Sequence, residues 1–376
     1  MKKYYFLLFI LIGGYNVFGQ SERSCVPCLS QGITFTTQSQ VDSFPINYPN
    51  CTEVEGPLTI TGSEIKNLYG LSALIEIHAL FINYTDSLTC LAGLNNVDTL
   101  GYLEIVCNSA LTSLTGLDGL SSIGTLSICS NNVLSSLAEF DELYTIEGHL
   151  YIEENGALTS LTGLDSLATI SGELVIGKNY GLSSLAGLNN LSSVNYLTIT
   201  ENSVLTTLMD LEDLTTVSLV GIDRNPVISS LSGLDNIVAD SLSDLWVYKN
   251  ATLSTCAIQS ICDFFSNPNG NSFIDENAPG CNSEQEVEDA CAAIGVESLT
   301  IESSLTIYPN PAFTTITIET PAKGSLSIHN TSGLKLLQQE LTEQSTTIDV
   351  SGLKSGVYLV KVVGEKGVQV GKFLKQ

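Results

Sequence analysis

The 376-residue sequence has few of the side chains on which enzyme chemistry depends. It contains only three histidines, His78, His149 and His329, which leaves little material for a catalytic triad. The nucleophile-elbow, zinc-protease, phosphate-loop and dinucleotide-binding motifs do not occur in it either. We therefore expect that the protein is not an enzyme, has no catalytic residues and needs no cofactor.

Basic residues are also scarce. The chain has 14 lysines and arginines against 40 acidic residues, for a net charge of −26. Residues 20–302 hold 35 of the acidic residues and five basic ones, which makes that stretch close to −30. Residues 303–376, with seven lysines and five acids, are close to +2. A strongly negative surface repels phosphate backbones, which excludes nucleic acid as a partner, and the charge is explained by the solubility of an extracellular surface.

Long apolar runs are missing as well, with one exception at the amino terminus. The opening MKKYYFLLFILIGGYNVFGQ combines two lysines, an apolar run too short to span a bilayer and a small residue, Gly19, at its end. This pattern predicts a signal peptide over residues 1–19, removed before Gln20. No cysteine follows closely enough for a lipid anchor. We expect an exported mature chain with no transmembrane segment.

What the sequence does have is a leucine repeat. Leucines that open a four-residue LxxL or LxxF step recur at spacings of 23 or 24 residues: Leu68, Leu91, Leu114, Leu137, Leu161, Leu185, Leu208 and Leu231. An apolar pair of the form L-x-I advances with them and starts at Leu58, Leu80, Leu103, Leu126, Leu150, Leu174, Leu197, Val220 and Leu245. A fixed period of this size is typical of a stacked solenoid.

The L-x-I pair predicts a short strand in each repeat. The two apolar side chains share one face and point inward, because side chains alternate along a strand. An asparagine follows three residues after the Ile, where its amide can bond the backbone of the bend: Asn108, Asn131, Asn155, Asn179, Asn202, Asn225 and Asn250. The third position of the LxGL step is glycine in six repeats, but Glu139 and Asp210 interrupt that column. We therefore expect a tight bend there without an obligatory positive φ.

The order of these features divides the chain into segments. We predict an irregular N-terminal cap over residues 20–57, the solenoid over 58–256, and a Cys-rich C-terminal cap with two short helices over 257–291. A linker over 292–303 leads to a small β-sandwich over 304–376, where alternating strands are broken by Gly and Asn turns. The caps are needed because a solenoid unit is stable only when it stacks on others.

Ten cysteines in an exported chain favour disulfides over metal binding. We expect disulfides among four residues of the C-terminal cap: Cys256, Cys262, Cys281 and Cys291. Cys107 and Cys129, at strand ends of adjacent repeats, are candidates for another bridge, and Cys90 has no obvious partner. Cys25 and Cys28 form one CxxC without a second pair, so we predict no metal site; a structural calcium ion stays open.

Outward positions beside the inward pairs are rich in aromatic and acidic side chains. They form a candidate ligand-binding strand face: Phe81, Tyr102, Glu104, His149, Tyr151, Glu153, Tyr196, Asp223, Trp246 and Tyr248. Such a face stacks on sugar rings or anchors a protein ligand. The alternative is that aromatics are there because they favour strands, with Trp246 packed under the C-terminal cap. Asp223 and Arg224 indicate either a β-helical polysaccharide lyase or hydrolase or a surface ion pair. A passive surface-coat protein is a further alternative to ligand binding.

The segment GITFTTQSQVDSFPINYPNCTEVEGPLTITGSEIKNLYGLSAL and the repeats after it resemble the receptor L-domain family over residues 32–291. That family has right-handed β-helical ligand-binding domains, so the resemblance implies a right-handed β-helix of about nine turns. The chain departs from the family by having more turns than one L domain and no furin-like module or kinase. Leucine-rich repeats are a near neighbour, since Ile123, Leu126, Ile128 and Asn131 fit their LxxLxLxxN core. The lack of a helical stretch in each repeat favours the β-helix.

A second resemblance covers the last 73 residues. The stretches SSLTIYPNPAFTTITIET, SGLKSGVYLVKV and the terminal KFLK are similar to the type A sorting domain of the type IX secretion system of Bacteroidetes. The residues that carry the match are Pro309, Asn310, Pro311, Gly356, Tyr358, Lys372, Phe373 and Lys375. The resemblance implies contact with that machinery, export to the outer surface of a Gram-negative cell and, commonly, removal of the domain. The alternative is an ordinary adhesive sandwich.

Overall fold

The computed structural model describes residues 27–266, 270–295, 305–320, 324–330, 335–341, 343–364 and 367–376. The predicted signal peptide and Cys25 lie outside them. The chain divides into two compact units, one ending at Val287 and the other beginning at Glu288. Both consist mainly of strands, which confirms the all-β class.

The first unit is built on one parallel sheet of 14 strands. These are β1 Pro27–Cys28, β2 Ile33–Phe35, β3 Glu53–Ile60, β4 Glu76–Asn83, β5 Thr99–Val106, β6 Ser122–Ile123, β7 Thr125–Cys129, β8 Thr145–Ile146, β9 Leu150–Glu153, β10 Thr169–Gly177, β11 Ser193–Thr200, β12 Leu219–Asp223, β13 Asp244–Tyr248 and β14 Asn271–Asp275. The main path runs β1, β3, β4, β5, β7, β9, β10, β11, β12, β13, β14; β2 pairs with β3, and β6 and β8 form a side branch that joins β10. Each repeat thus adds a strand beside the one before it.

Helices are short and lie between strands or at the ends. The α-helices are α1 Gln38–Asp42, α2 Phe44–Asn47, α3 Gln259–Phe265 and α4 Glu284–Gly295. Single 3-10 turns cover Tyr69–Leu71, Ala138–Phe140, Met209–Leu211 and Ala239–Ser241. The predicted irregular N-terminal cap is wrong in this respect, because its described part contains α1, α2, β1, β2 and the start of β3. In α1, Thr37 and Gln40 form a capping box, which explains why a helix this short begins at a defined residue.

Strand register follows the leucine period. Leu126 pairs with Leu103 on one side and Leu150 on the other, and Leu150 pairs with Leu174. All four side chains are fully buried. The LxxL leucines between the strands are buried too, so the apolar side chains of successive repeats form one continuous interior. Burial of each such side chain contributes about 1.5–3 kcal/mol to the free energy of folding. Because each repeat stacks on the next, this contribution is added again with every repeat.

The asparagine column forms a buried hydrogen-bond ladder. The backbone N–H of Asn131 donates to Asn155 Oδ1 at 3.0 Å, and Asn155 Nδ2 donates to the Ile128 carbonyl at 2.8 Å. The same pattern recurs at every predicted asparagine, and all of them are fully buried. Thr85 begins the ladder by donating to Asn108 Oδ1, and Asn277 extends it beyond the predicted last repeat. The expected role of this column is confirmed.

The residue before each ladder position has a left-handed backbone although it is not glycine. Its φ lies between 53° and 60° at Tyr84, Cys107, Ser130, Glu154, Lys178, Glu201, Arg224, Lys249 and Glu276. Each such residue costs about 1–2 kcal/mol in backbone strain. The ladder stabilises this conformation on one side. On the other side it is stabilised by backbone hydrogen bonds, such as the one of 2.9 Å from the Ser130 N–H to the Glu153 carbonyl.

The glycine column agrees with the expectation that a positive φ is not obligatory, although most of its glycines have one. Five glycines have φ between 107° and 121°, in the region that favours glycine: Gly93, Gly116, Gly163, Gly187 and Gly233. A Cβ on Gly116 would lie 2.2 Å from the Leu91 carbonyl oxygen. A side chain at position 116 would therefore clash with the backbone of the preceding repeat. Repeats that carry Glu139 or Asp210 instead form a 3-10 turn. Gly70, the sixth glycine of the column, also lies in a 3-10 turn and has no positive φ, so positive φ is common in this column but not obligatory.

The ends of the sheet are fixed by disulfides. Cys28 bonds Cys51 at the first strands, and Cys256 bonds Cys281 at the last ones. Cys262 and Cys291 are disulfide-bonded as well, in agreement with the expectation for the C-terminal cap.

The suggested bridge between Cys107 and Cys129 is wrong, since both thiols are free. Cys129 ends β7 opposite Val106, whereas Cys107 lies one residue further on, in the left-handed bend. Only the backbones of the two residues are bonded to each other.

The second unit has two antiparallel sheets. Their strands are β15 Thr306–Tyr308, β16 Thr315–Glu319, β17 Gly324–Asn330, β18 Lys335–Leu341, β19 Ser345–Asp349, β20 Gly356–Gly364 and β21 Gly367–Lys375. One sheet has the order β15-β16-β19 and the other β18-β17-β20-β21. Side chains from both, including Ile316 and Val360, share one apolar core. This is the two-layer arrangement expected of a small sandwich.

Candidate functional site

The ten predicted strand-face residues all lie on or beside the parallel sheet, but their aromatic side chains form two separate groups with Tyr196 between them. Nine are in strands β4, β5, β9, β11, β12 and β13, and His149 immediately precedes β9. From Tyr151 the register passes through Val175, Thr198 and Gly221 before it reaches Trp246. Four strand steps separate the two aromatics by about 19 Å. The predicted face is therefore not one continuous aromatic strip.

The first aromatic group consists of Phe81, Tyr102, His149 and Tyr151. The rings of Phe81 and Tyr102 lie 5.3 Å apart, and His149 stacks on Tyr151 at 5.6 Å. The Tyr102 hydroxyl donates to Glu104 at 3.0 Å, so an aromatic ring and a carboxylate are held in fixed positions next to each other. Such a pair offers both a stacking surface and an acceptor for hydroxyl groups.

Burial and neighbouring carboxylates set the charge state of this group. Burial first, and then Glu104, raises the pKa of Tyr102 far above its ordinary value. Burial and Glu173 raise the pKa of Tyr151 to about 12. Burial also raises the pKa of the Glu153 carboxyl, against the opposing effect of Lys178. The two tyrosines are thus neutral hydroxyl donors near neutral pH.

Cys129 lies beside the first aromatic group, a position that the sequence did not predict. Burial raises the pKa of its thiol to about 11. The thiol lies 3.5 Å from the Ser127 hydroxyl. At neutral pH it is therefore an apolar filler between polar neighbours and not a nucleophile.

The second aromatic group consists of Trp246, Tyr248 and Phe273. Trp246 pairs in register with Phe273, and the rings of Tyr248 and Phe273 lie 5.7 Å apart. Trp246 is 46% exposed and Phe273 51% exposed, so Trp246 is not packed under the cap. Phe273 was missed because β14 lacks the leucine steps of the other repeats. Its Ile274 and Asn277 nevertheless keep the spacing of the ladder, which would have identified the strand.

Basic residues surround the ring of Tyr248. The Arg224 guanidinium lies 5.6 Å from the ring centre and the Lys249 ammonium 5.9 Å from it. These are two of the few cations in the acidic part of the chain. Both are paired with carboxylates, Arg224 with Asp223 and Glu201, and Lys249 with Glu276. The second group therefore combines exposed rings with ion pairs, whereas the first combines half-buried rings with carboxylates.

Asp223 and Arg224 are engaged with each other. Arg224 lies 2.6 Å from Asp223 Oδ2 and 3.3 Å from Glu201, and the Asp223 side chain is only 10% exposed. Asp223 also accepts from the Thr200 hydroxyl at 2.9 Å. Tyr196, 44% exposed, lies between the two aromatic groups. A ligand-binding role for any of these residues stays a prediction.

In the second unit, the three sorting motifs come together although up to 65 residues separate them. Asn310 accepts from the Leu374 N–H at 2.9 Å and donates to the Lys372 carbonyl at 3.2 Å. Tyr358 and Phe373 are register partners whose rings stack at 5.5 Å. The peptide bonds before Pro309 and Pro311 are both cis. The terminal KFLK segment is thus held by both other motifs.

The strand that carries this segment is paired along its length. Gly356 is the register partner of Lys375, which is 8% exposed. Ala312, one residue after the Pro309-Asn310-Pro311 step, bonds the backbones of Leu374 and Gln376. The motif residues therefore form one structured surface and not a loose tail.

Comparison with known proteins agrees with this arrangement. Residues 306–376 match the model of the family described as the secretion system C-terminal sorting domain. This confirms the expected sorting domain: the protein is a secreted or outer-surface protein of a Bacteroidetes-type Gram-negative bacterium, exported by the type IX secretion system. A search of curated proteins gives no match. Among the described residues, no helix has the length and apolar character needed to cross a membrane.

Proposed function

We propose that the first unit is a right-handed β-helix of the receptor L-domain type that recognises an extracellular glycan or protein ligand. Its strands pair in parallel with the period of the repeat. Connections between parallel strands of one sheet are right-handed in about 98% of cases, which supports this handedness. The sorting domain delivers this unit to the cell exterior, where recognition of such ligands takes place.

The observation that carries the recognition role is the exposure of Trp246 and Phe273. The two rings lie on adjacent strands and each leaves about half of its surface in water. Neighbouring strands are about 4.8 Å apart, which suits two rings that contact successive parts of one ligand. Exposed aromatics that cluster at one place are typical of binding surfaces.

We infer that a glycan is the better ligand for this surface. Aromatic rings stack on the apolar faces of sugars, and carboxylate and tyrosine groups bond their hydroxyls. Arg224 and Lys249 beside Tyr248 are already paired with Asp223, Glu201 and Glu276, so their charge gives no reason to prefer acidic sugars over neutral ones. A protein ligand would use the same rings as anchors.

We propose no catalytic role for the strand face. Asp223 and Arg224, the pair that suggested a polysaccharide lyase, neutralise each other, and Asp223 also accepts from Thr200. Asp223 Oδ2 is thus occupied by two partners, and its side chain is only 10% exposed, so it is poorly placed to reach a proton of a substrate. Incubation with acidic polysaccharides and calcium tests this point: new unsaturated ends would establish a lyase.

The experiment for recognition uses the full-length protein on glycan and protein arrays. The double variant Trp246→Ala/Phe273→Ala should lose most of the signal of the native protein. The matched control is Tyr180→Ala, which removes an aromatic that is 56% exposed and lies outside the strands. Equal binding by native protein and double variant would reject this surface. Blank arrays, with altered aggregation of cells that lack the protein, would instead support a passive coat.

A further inference from the structure

A cluster of three possible metal ligands lies near the start of strands β3 and β4 and includes no residue of the two aromatic groups. Glu53 in β3 and Glu76 in β4 are register partners, and His78 follows Glu76 on the same side of β4. One side-chain atom from each residue lies within 4.8 Å of the other two. His78 Nε2 is 3.7 Å from Glu76 Oε1.

The two carboxylates face each other without a basic side chain to neutralise them. Within the described part of the chain, no lysine or arginine forms an ion pair with Glu53 or Glu76, and the His78 imidazole lies beside Glu76. Like charges directly opposite on neighbouring strands destabilise a sheet. A cation at this point would remove the repulsion.

The local backbone favours the approach of His78. The register between β3 and β4 shifts after Val54, so that two residues of β3, Glu55 and Gly56, lie across from His78 alone. A bulge of this kind turns the side chains beside it. The His78 side chain is 55% exposed, and the Glu76 side chain 29% exposed. The cluster is therefore open to ions from solvent on one side and supported by the sheet on the other.

We propose that Glu53, Glu76 and His78 bind one divalent transition-metal ion, and that zinc is the ion that their donor atoms fit best. Zinc takes carboxylate oxygen and imidazole nitrogen at about 2.0–2.2 Å, which places the ligand atoms of a tetrahedral site about 3.4 Å apart. Small side-chain rotations bring the three atoms from their present separations to that distance. An imidazole ligand argues against calcium, which prefers oxygen ligands alone.

The position of the site indicates what the ion does. Glu53 pairs on its other side with Pro27 of β1, next to Cys28 of the Cys28–Cys51 disulfide. An ion shared by β3 and β4 links the disulfide-bonded end to the next repeat. Since it binds the folded chain and not the unfolded one, it stabilises this end of the sheet.

The test measures zinc binding to the untagged full-length protein after treatment with a chelator. Isothermal titration calorimetry with zinc chloride should give one saturable site, with a higher unfolding temperature in the presence of the ion. Glu76→Gln and His78→Ala should each weaken binding by more than about tenfold. Glu64→Gln is the matched control, because it removes an exposed carboxylate just after β3 that is not in the cluster. It should leave the affinity unchanged.

Cobalt(II) gives a second measurement that does not depend on stability. Visible absorption typical of a four-coordinate ion should appear with native protein and with Glu64→Gln, and be lost with His78→Ala. Because the His78 side chain is exposed, His78→Ala should fold normally. Circular dichroism checks that it does. No saturable zinc binding, or binding that survives both Glu76→Gln and His78→Ala, would overturn the proposal. So would binding of calcium alone.

Discussion

The Oδ1 atom of Asn179 lies 3.0 Å from the backbone nitrogen of Asn155, 24 residues earlier in the chain. Asn179 Nδ2 donates to the Ile152 carbonyl of that same repeat at 2.8 Å. One side chain thus satisfies a donor and an acceptor of the neighbouring repeat, at a depth where water does not reach. The ladder therefore joins consecutive repeats at the bend where each chain leaves its strand.

Asn179→Ala should destabilise the first unit strongly. The substitution leaves the Asn155 N–H and the Ile152 carbonyl buried without their partner, and each such loss costs about 1–3 kcal/mol. We expect a loss of about 2–5 kcal/mol in the free energy of unfolding. The single tryptophan, Trp246, lies in this unit, so its fluorescence during urea unfolding reports on the unit alone.

The control for the ladder is Asn132→Ala. Asn132 follows the ladder residue Asn131 but is exposed, so the same change there should alter the unfolding free energy by less than about 0.5 kcal/mol. Similar losses of unfolding free energy in the two variants would mean that the buried asparagine ladder does not stabilise the fold more than an exposed asparagine does.

Gly187→Ala should strongly lower the free energy of unfolding of the first unit, although it adds only one methyl group. Gly187 has a φ of 112°, and a Cβ on it would lie 2.1 Å from the Leu161 carbonyl oxygen of the preceding repeat. Backbone strain and displacement of that repeat together cost on the order of 3 kcal/mol. The urea midpoint, read from Trp246 fluorescence, should fall accordingly.

Gly119→Ala provides the comparison within the same unit. Its nearest neighbour to an added Cβ is the Val97 carbonyl oxygen at 3.8 Å, an ordinary contact. The variant should be as stable as the native protein or slightly more stable, because alanine reduces the entropy of the unfolded chain. Equal destabilisation at the two glycines would contradict the close approach of repeats as the cause.

Glu153→Gln should make the protein more stable at neutral pH. Burial raises the pKa of Glu153, so its ionised form is less favourable in the folded than in the unfolded chain. The cost is absent below the unfolded pKa of about 4.3, where both states are protonated, and is complete above the folded pKa. The stabilisation should therefore be seen in thermal unfolding at pH 7 and vanish near pH 3.5. Equal stability of the two proteins at pH 7 would show that Lys178 fully offsets the burial.

Much of this fold could be predicted from the sequence because its energetics are periodic. The inward apolar pairs, the leucine steps and the asparagine column each recur with the repeat, and each recurrence reports the same local environment. The left-handed residues before the ladder could not be predicted. Positions such as Cys107 and Lys178 carry ordinary side chains, and their conformation is imposed by the stacked neighbours and not by their own preference.

The limits of the repeat and the site were harder to predict. Strands β2 and β14 complete the sheet but lack the flanking leucine steps, so Phe273 was overlooked. The division of the strand face into two groups depends on Val175, Thr198 and Gly221, which are small or aliphatic residues at the outward position between them. The separation of Tyr151 and Trp246 depends on the register of the strands between them, and the composition of the chain does not determine that register.

Asn310→Ala should impair delivery of the protein to the cell surface. Asn310 joins the first sorting motif to the last through Leu374 and Lys372, and alanine removes both hydrogen bonds. Each bond contributes about 0.5–1.5 kcal/mol, enough to loosen the arrangement without unfolding the sandwich. In the natural host or a related bacterium with type IX secretion, the variant should accumulate in the periplasm. The measurement is the surface fraction of the protein, by protease accessibility and cell fractionation.

Two further variants separate the effect of this contact from a general loss of stability. Asn310→Asp keeps the acceptor for the Leu374 N–H but loses the donor to the Lys372 carbonyl, so its surface fraction should be intermediate. Gln339→Ala changes an exposed side chain on β18, outside the three motifs, and should be exported like the native protein. Since the machinery reads a structured surface in this account, normal export of Asn310→Ala would mean that it reads the terminal strand alone.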